Sequence, residues 1–166
     1  KEAFTRIASD GHRAGAIIEN IRTNLRTEES NRTNVELNAL IREALDLESS
    51  DLRKHRTTVQ LELHEGLPDV RANQVQLRQV VLNLIVNAVD AMSSSDGPRI
   101  LGVKTALHDG NQVLVSVADS GSGIKSVDGD RVFDPLFTTK SDRMGMGLSI
   151  CRSIVEAHNG RLWFAP

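Results

Sequence analysis

The sequence predicts an α+β fold: a two-layer α/β sandwich with a mixed sheet covered by helices, preceded by one coiled-coil-like helix. Three observations predict it. Apolar residues first recur on a heptad seam. Beyond residue 34 the apolar period switches between that of amphipathic helices and strict alternation. The elements also follow one another without the regular strand–helix–strand repetition of a parallel fold.

Phe4, Ile7, Gly11, Ala14, Ile18, Ile21 and Leu25 are spaced alternately three and four apart, the a/d seam by which one helix packs on others. Polar residues (Asn20, Arg22, Asn24, Arg26) fill its outside, and Thr27 to Asn34 reads as a linker. The chain therefore divides into residues 1–27 and residues 28–166. Leu37, Leu40, Ile41, Ala44, Leu45 and Leu52 mark one amphipathic helix, starting between Thr33 and Asn38. Thr57, Val59, Leu61 and Leu63 alternate with Thr58, Gln60, Glu62 and His64, a strand signal. Asn73 to Met92 is a long helix. The strands Arg99 to Leu107 and Gln112 to Asp119 follow, joined by Asp109-Gly110-Asn111. Ser120 to Gly145 is Gly-rich and loop-like. A last helix runs from Gly147 to about His158 and stops at Asn159-Gly160, and Leu162 to Phe164 start another strand.

Composition narrows the class. The chain has 166 residues, a formal net charge of -2, 25% charged and 39% hydrophobic residues, and only 3% aromatics. The length fits one domain with a short appendage. Near-neutral charge and few rings argue against a nucleic-acid partner. One cysteine builds no internal disulfide framework, so a reducing compartment is the default. No apolar run approaches the roughly 20 residues that span a bilayer, and no signal-peptide pattern is present, so no membrane contact is expected of this chain. It starts at Lys1 rather than Met and reads as a piece of something longer.

Val113, Val115, Val117 and Asp119 share a parity, so if that face is the core, Asp119 aims a carboxylate inward from the strand end. Ser120-Gly121-Ser122-Gly123 follows, where bare backbone lets a flat ligand approach. An acid seeking a donor beside such backbone suits the exocyclic amine of a purine; the alternative is a plain strand-closing turn. Asn83, Asn87 and Asp90 fall on one stripe of an otherwise apolar helix, and amides there need partners. A neutral amide oxygen can ligate Mg²⁺, or the amides can bond nearby loops. Gly145-Met146-Gly147 opens the last helix, where free amides favour an anion. Gly97 to Thr105 looks like a P-loop but displaces the lysine and enters a strand rather than a helix, so it is rejected. His158 is a helix-end residue over the core, and Cys151 a small core residue.

Order and spacing join these signals. Asn83-Leu-Ile-Val-Asn87-Ala-Val-Asp90-Ala91 resembles the N box of sensor histidine kinases. Asp119-Ser-Gly121-Ser-Gly123-Ile124 resembles their first glycine box, and Phe133-Asp-Pro-Leu-Phe137-Thr138-Thr139-Lys140 their F box. Gly145-Met-Gly147-Leu148-Ser-Ile, running on to Gly160, resembles their second glycine box and following helix. The resemblance covers roughly Asn34 to Trp163, and residues 1–27 look like the end of a dimerisation and phosphoacceptor hairpin.

The resemblance implies a Bergerat-type ATP-binding fold with ATP and Mg²⁺ as its ligands. Asn87 would hold Mg²⁺, with Asn83 on the phosphate side and Asp90 beside them. Asp119 would accept from the adenine amine, with Gly121, Gly123 and Ile124 around the base. Phe133 to Met144 would be the lid, where Thr138, Thr139, Lys140 and Arg143 could meet the nucleotide and Lys140 contacts phosphate. Gly145, Gly147 and Leu148 would present helix-start amides. The chemistry implied is transfer of the γ-phosphoryl group to a histidine of the protein's own dimerisation domain, then to a response-regulator receiver domain, in a cytoplasmic homodimer. Non-enzymatic nucleotide sensing is one alternative. ATP hydrolysis is another, disfavoured because the superfamily's hydrolases place a general-base Glu where Asn83 stands.

Four departures accompany the resemblance. His12 is followed by Arg13-Ala14-Gly15 rather than by an acid, so it reads as a solvated helix-face residue, with the acceptor expected before Lys1. Arg143 and Met144 replace the usual first glycine of the second glycine box. The lid is short, which weighs against a large closure over ATP. The family's last strand is expected beyond Trp163.

Overall fold

The computed structural model describes residues 31–93, 97–110, 112–124, 130–137 and 145–165. The chain divides into two units, Lys1–Arg32 and Thr33–Pro166, and every described helix and strand lies in the second. The heptad seam and His12 lie outside the described residues.

The elements, in order, are β1 (Thr33–Val35), α1 (Leu37–Leu47), α2 (Ser49–Lys54), β2 (Thr58–Leu63), β3 (Val70–Ala72), α3 (Gln74–Met92), β4 (Ile100–His108), β5 (Gln112–Asp119), a 3₁₀ turn (Asp130–Phe133) and α4 (Gly147–Ala157). β2, β4 and β5 form one sheet in that order. β2 pairs parallel to β4, with Leu61 opposite Val103, and β4 pairs antiparallel to β5, with Val103 opposite Val117. A mixed sheet is what the absence of strand–helix–strand repetition predicts. β1 and β3 make a separate antiparallel pair.

α3 is the spine of the fold, and its first turn is set by its own sequence. The Asn73 side chain accepts from the amides of Val75 and Gln76 at 3.0 and 3.2 Å, an N-cap. One side of the helix (Val81, Ile85, Ala88, Val89, Met92) packs with Leu40, Ile41, Ala44 and Leu45 of α1, Leu52 of α2, and Leu101 and Val103 of β4. Each large side chain buried there contributes about 1.5–3 kcal/mol. On another side Val80 meets Cys151 and Ile154 of α4, backed by Leu84, Ile150 and Leu162, as a smaller second core.

The hydroxyl of the buried Thr105 is paired. Thr105 Oγ1 donates to Asn38 Oδ1 (2.9 Å) and accepts from the His64 amide (2.9 Å), while Asn38 Nδ2 donates to the His64 carbonyl (2.9 Å). This closed ring ties α1 to the end of β2 and to the middle of β4. Arg99 donates to the carbonyls of His55 and Ser93, the residues that cap α2 and α3. A cation there satisfies orphan carbonyls and complements both helix dipoles.

The hairpin turn between β4 and β5 places Asp109 and Gly110 at φ 43° and 75°, as an Asp-Gly pair allows. Where the P-loop lookalike lies, Ile100–His108 is strand, and its rejection stands.

Three details differ from the sequence reading. The single amphipathic helix is two, because the chain breaks at Glu48 and restarts at Ser49; Leu52 still reaches the same core. β1 and β3 were not foreseen, since three residues are too few to show alternation. Leu162 to Phe164 form no strand; Leu162 drops into the second core, and Arg161 lies over the Trp163 ring at 5.9 Å.

Candidate functional site

α4 runs antiparallel along α3, and the contacts between them form a ladder. At one end Gly147 lies beside Asn87: a β-carbon there would stand in ordinary contact, 3.7 Å from Asn87 Nδ2. One turn along, Asn83 stands beside the Cys151 thiol, which donates to the Val80 carbonyl at 3.9 Å. At the far end His158 Nε2 accepts from the Asn73 amide at 3.0 Å, and its Nδ1 lies 2.8 Å from the Ile154 carbonyl. Nδ1 therefore carries the proton and the ring is neutral. The amides on α3 expected to need partners thus face α4, Asn87 at Gly147 and Asn83 at Cys151. Cys151 is fully buried; burial pushes its thiol up to about 11, against a smaller opposing effect of the Asn83 side chain.

The start of α4 is open. Met146 offers no capping side chain and the first turn holds no acid, so its leading amides have no partner within the helix. Gly145 sits at φ 66°, and a β-carbon on it would collide with the Phe137 carbonyl, so the F box closes directly onto this helix start. Phe133 is buried, with the Arg152 guanidinium of α4 5.1 Å from its ring centroid.

The other end of the site lies at the end of β5. Asp119 is exposed rather than buried: Val115 and Val117 reach the core, but the parity carries the last residue past its edge. Its Oδ1 accepts from the Gly121 amide at 2.9 Å. A β-carbon on Gly121 would stand 2.7 Å from the Ala91 carbonyl oxygen, so this loop lies against the last turn of α3. Ser120 fixes the loop by donating to the Pro98 carbonyl (2.6 Å) and accepting from the Ile100 amide (2.9 Å). Gly123 has φ 70° in open space, and Ile124 is partly exposed.

The structure thus brings Asn83, Asn87, Gly145, Gly147 and Leu148 to one end, and Asp119, Gly121, Gly123 and Ile124 to the other. Asn87 and Ala91 are one turn of α3 apart, roughly 6 Å along the axis. Asp90 lies half-buried between them. Thr138, Thr139, Lys140 and Arg143 lie outside the described residues. Sequence reasoning missed the bonding role of Cys151 and His158, although both lie on the α4 stripe that faces α3. Among the described residues no group of three His, Cys, Asp or Glu could hold a metal ion. Asn87 offers one hard, neutral oxygen, which fits Mg²⁺ only if phosphate oxygens and water complete the shell. Also among the described residues, no helix is long and apolar enough to cross a membrane.

A carboxylate beside bare backbone at one end, and a glycine-opened helix start at the other, lie along α3 in a two-layer α/β sandwich with a mixed sheet. The chain belongs to the histidine kinase-, DNA gyrase B- and HSP90-like ATPase family, whose model matches residues 72–166. Its relatives are sensor kinases. It is 36% identical to the C4-dicarboxylate transport sensor protein DctS of Rhodobacter capsulatus, over all of this chain and 25% of that protein. It is 37% identical to the sensor protein FixL of Bradyrhizobium diazoefficiens, over 98% of this chain and 32% of that one. The catalytic domain of histidine kinase ThkA superposes with a TM-score of 0.71 at 34% identity, covering 80% of this chain and 85% of that chain. ThkA in complex with the response regulator TrrA superposes with a TM-score of 0.69 at 28% identity, covering 98% of this chain and 46% of that one. The chain is an ATP-binding catalytic domain of the sensor histidine kinase type, and it spans no more than about a third of these curated relatives.

Proposed function

We propose that this domain binds Mg-ATP and, within a longer protein, transfers the γ-phosphoryl group to a histidine of that protein's dimerisation domain, from which it passes to an aspartate of a response-regulator receiver. The observation that carries this reading is the placement of Gly147 against Asn87, which sets the start of α4 beside the Asn87 side-chain amide. Asp119, held by the Gly121 amide, accepts from the adenine amine. Asn87 supplies one oxygen to Mg²⁺, which neutralises charge on the phosphates when bound. The amides at the start of α4 hold the triphosphate, joined by Lys140 and Arg143. In-line transfer then asks the protein mostly to position groups and to stabilise charge.

Hydrolysis is the weaker reading. Asn83, four residues before Asn87, is an amide that cannot take a proton from water. Residues 1–27 are read as the end of the dimerisation hairpin, and the homodimer and cytoplasmic location belong to the same proposal.

Calorimetry of the wild type and Asp119→Asn with Mg-ATP tests the site; equal affinity would sink the assignment of Asp119. Labelled ATP incubated with this domain and an acceptor-bearing dimerisation domain tests the chemistry. Label on the acceptor histidine is expected. ATP binding without transfer would favour a sensing module, and label released as free phosphate would favour hydrolysis.

A further inference from the structure

We propose that His158 is a positioning residue for the phosphate end of the nucleotide, acting through the register of α4 on α3; this rests on the ATP site proposed above. The second core between these helices is small and apolar (Val80, Leu84, Ile150, Ile154). Apolar contact resists separation but is non-directional, so it does not by itself fix how far α4 slides or turns on α3. Directional bonds do. One is the Cys151 thiol, which donates to the Val80 carbonyl of α3. The other is at His158, where a single neutral ring joins two elements: Nδ1–H donates to Ile154 within α4, and Nε2 accepts the Asn73 amide at the cap of α3.

α4 has 11 residues and is therefore about 16 Å long. His158 holds one end, and Gly147 lies against Asn87 at the other. A helix pinned at its C-terminus and at mid-length has its N-terminal amides fixed in direction. Released at the C-terminus, it keeps the thiol contacts as a pivot, and its first turn swings against Asn87. Catalytic and binding groups are held productively to within about 0.5 Å, so a modest swing weakens the phosphate contacts. The base end does not depend on α4: Asp119 and Gly121 are held by Ala91, Ser120 and the β4–β5 pairing.

That asymmetry supplies the test. Affinity for adenosine and for Mg-ATP is measured by calorimetry on the wild type and on His158→Leu, His158→Gln, Asn73→Ala and Asn73→Pro, with thermal melts of each. His158→Leu keeps bulk and loses both bonds; Mg-ATP binding is expected to weaken about tenfold or more with adenosine binding within about twofold. Gln can donate to Ile154 and accept from Asn73, so His158→Gln should restore most of the loss. Asn73→Ala removes only the capping side chain and should bind Mg-ATP as the wild type does. Asn73→Pro also removes the amide hydrogen, at a φ of -81° that proline tolerates and after an extended Ala72. It should behave as His158→Leu, and it keeps the question decidable if the leucine variant does not fold. Equal losses of adenosine and Mg-ATP, wild-type Mg-ATP affinity in both His158→Leu and Asn73→Pro, or no rescue by glutamine would overturn the positioning role. A wild type that binds neither ligand would instead overturn the ATP site itself.

Discussion

Replacing Gly121 by alanine adds one methyl group at the tightest point of the base end. The new β-carbon would stand 2.7 Å from the Ala91 carbonyl oxygen and 2.8 Å from its carbon. Asp119 Oδ1, at 2.6 Å, is the end of a side chain and can turn aside. Ala91 cannot, because it belongs to the last turn of α3, anchored in the main core by Ala88, Val89 and Met92. Gly121 is not among the glycines with positive φ, so the penalty is one of space and not of backbone angle. Inserting a methylene into fixed surroundings costs about 1–3 kcal/mol. Here the loop is exposed at Ser120, Ser122 and Gly123, so it shifts and most of the cost falls on the ligand. A shift of about 1 Å breaks the amide bond that orients Asp119, a hydrogen bond to a charged group worth about 1.5–3 kcal/mol. Mg-ATP affinity should fall by about 10- to 100-fold, while the melting temperature falls by only a few degrees. Calorimetry and a thermal melt read the two effects. Gly123→Ala is the control: its φ of 70° lies in open space, so the expected cost is strain of about 1–2 kcal/mol without displacement of Asp119. Wild-type Mg-ATP affinity in Gly121→Ala would refute the argument that α3 sets the wall of the base site.

Two further predictions concern α3 and α4. The Cys151 thiol, pushed up to about 11 from an ordinary 9.0, stays protonated in the fold after it would ionise in the unfolded chain. Its contribution to stability is therefore complete below pH 9 and lost between pH 9 and about 11, by up to about 3 kcal/mol; urea titrations of the wild type should show this loss relative to Cys151→Val. Asn73→Ala, which removes the α3 cap, should cost about 1 kcal/mol of stability, read as an earlier urea midpoint.

The main elements were legible because each is long enough to show a period. Nineteen residues of α3 and the alternation of β2, β4 and β5 announce themselves, and the order of Asn83, Asn87, Asp119, Gly121, Gly145 and Gly147 marks the site. The break at Glu48 leaves no such mark, since Leu52 continues to face the core across it. Asp119 was placed on the correct parity but on the wrong side of the core boundary, because alternation says which face a residue shares and not where the covering helices end. The His158–Asn73 and Cys151–Val80 bonds were illegible for another reason: each joins residues far apart in the chain, and only the antiparallel register of α3 and α4 brings them together.

The small size of the second core has a consequence for hydrogen exchange. Lifting α4 from α3 breaks that satellite cluster and a few polar bonds, while the main core around Ile85, Leu101 and Ile41 stays intact. Opening of this kind is sub-global and costs less than unfolding. The amides of α4 should therefore exchange ahead of those in α3 and β4, and a nucleotide gripping both α4 and α3 draws its stabilisation from closing that opening. The domain is built as a firm slab with one helix hung on it, and the hung helix is the one whose first amides are proposed to meet the phosphates.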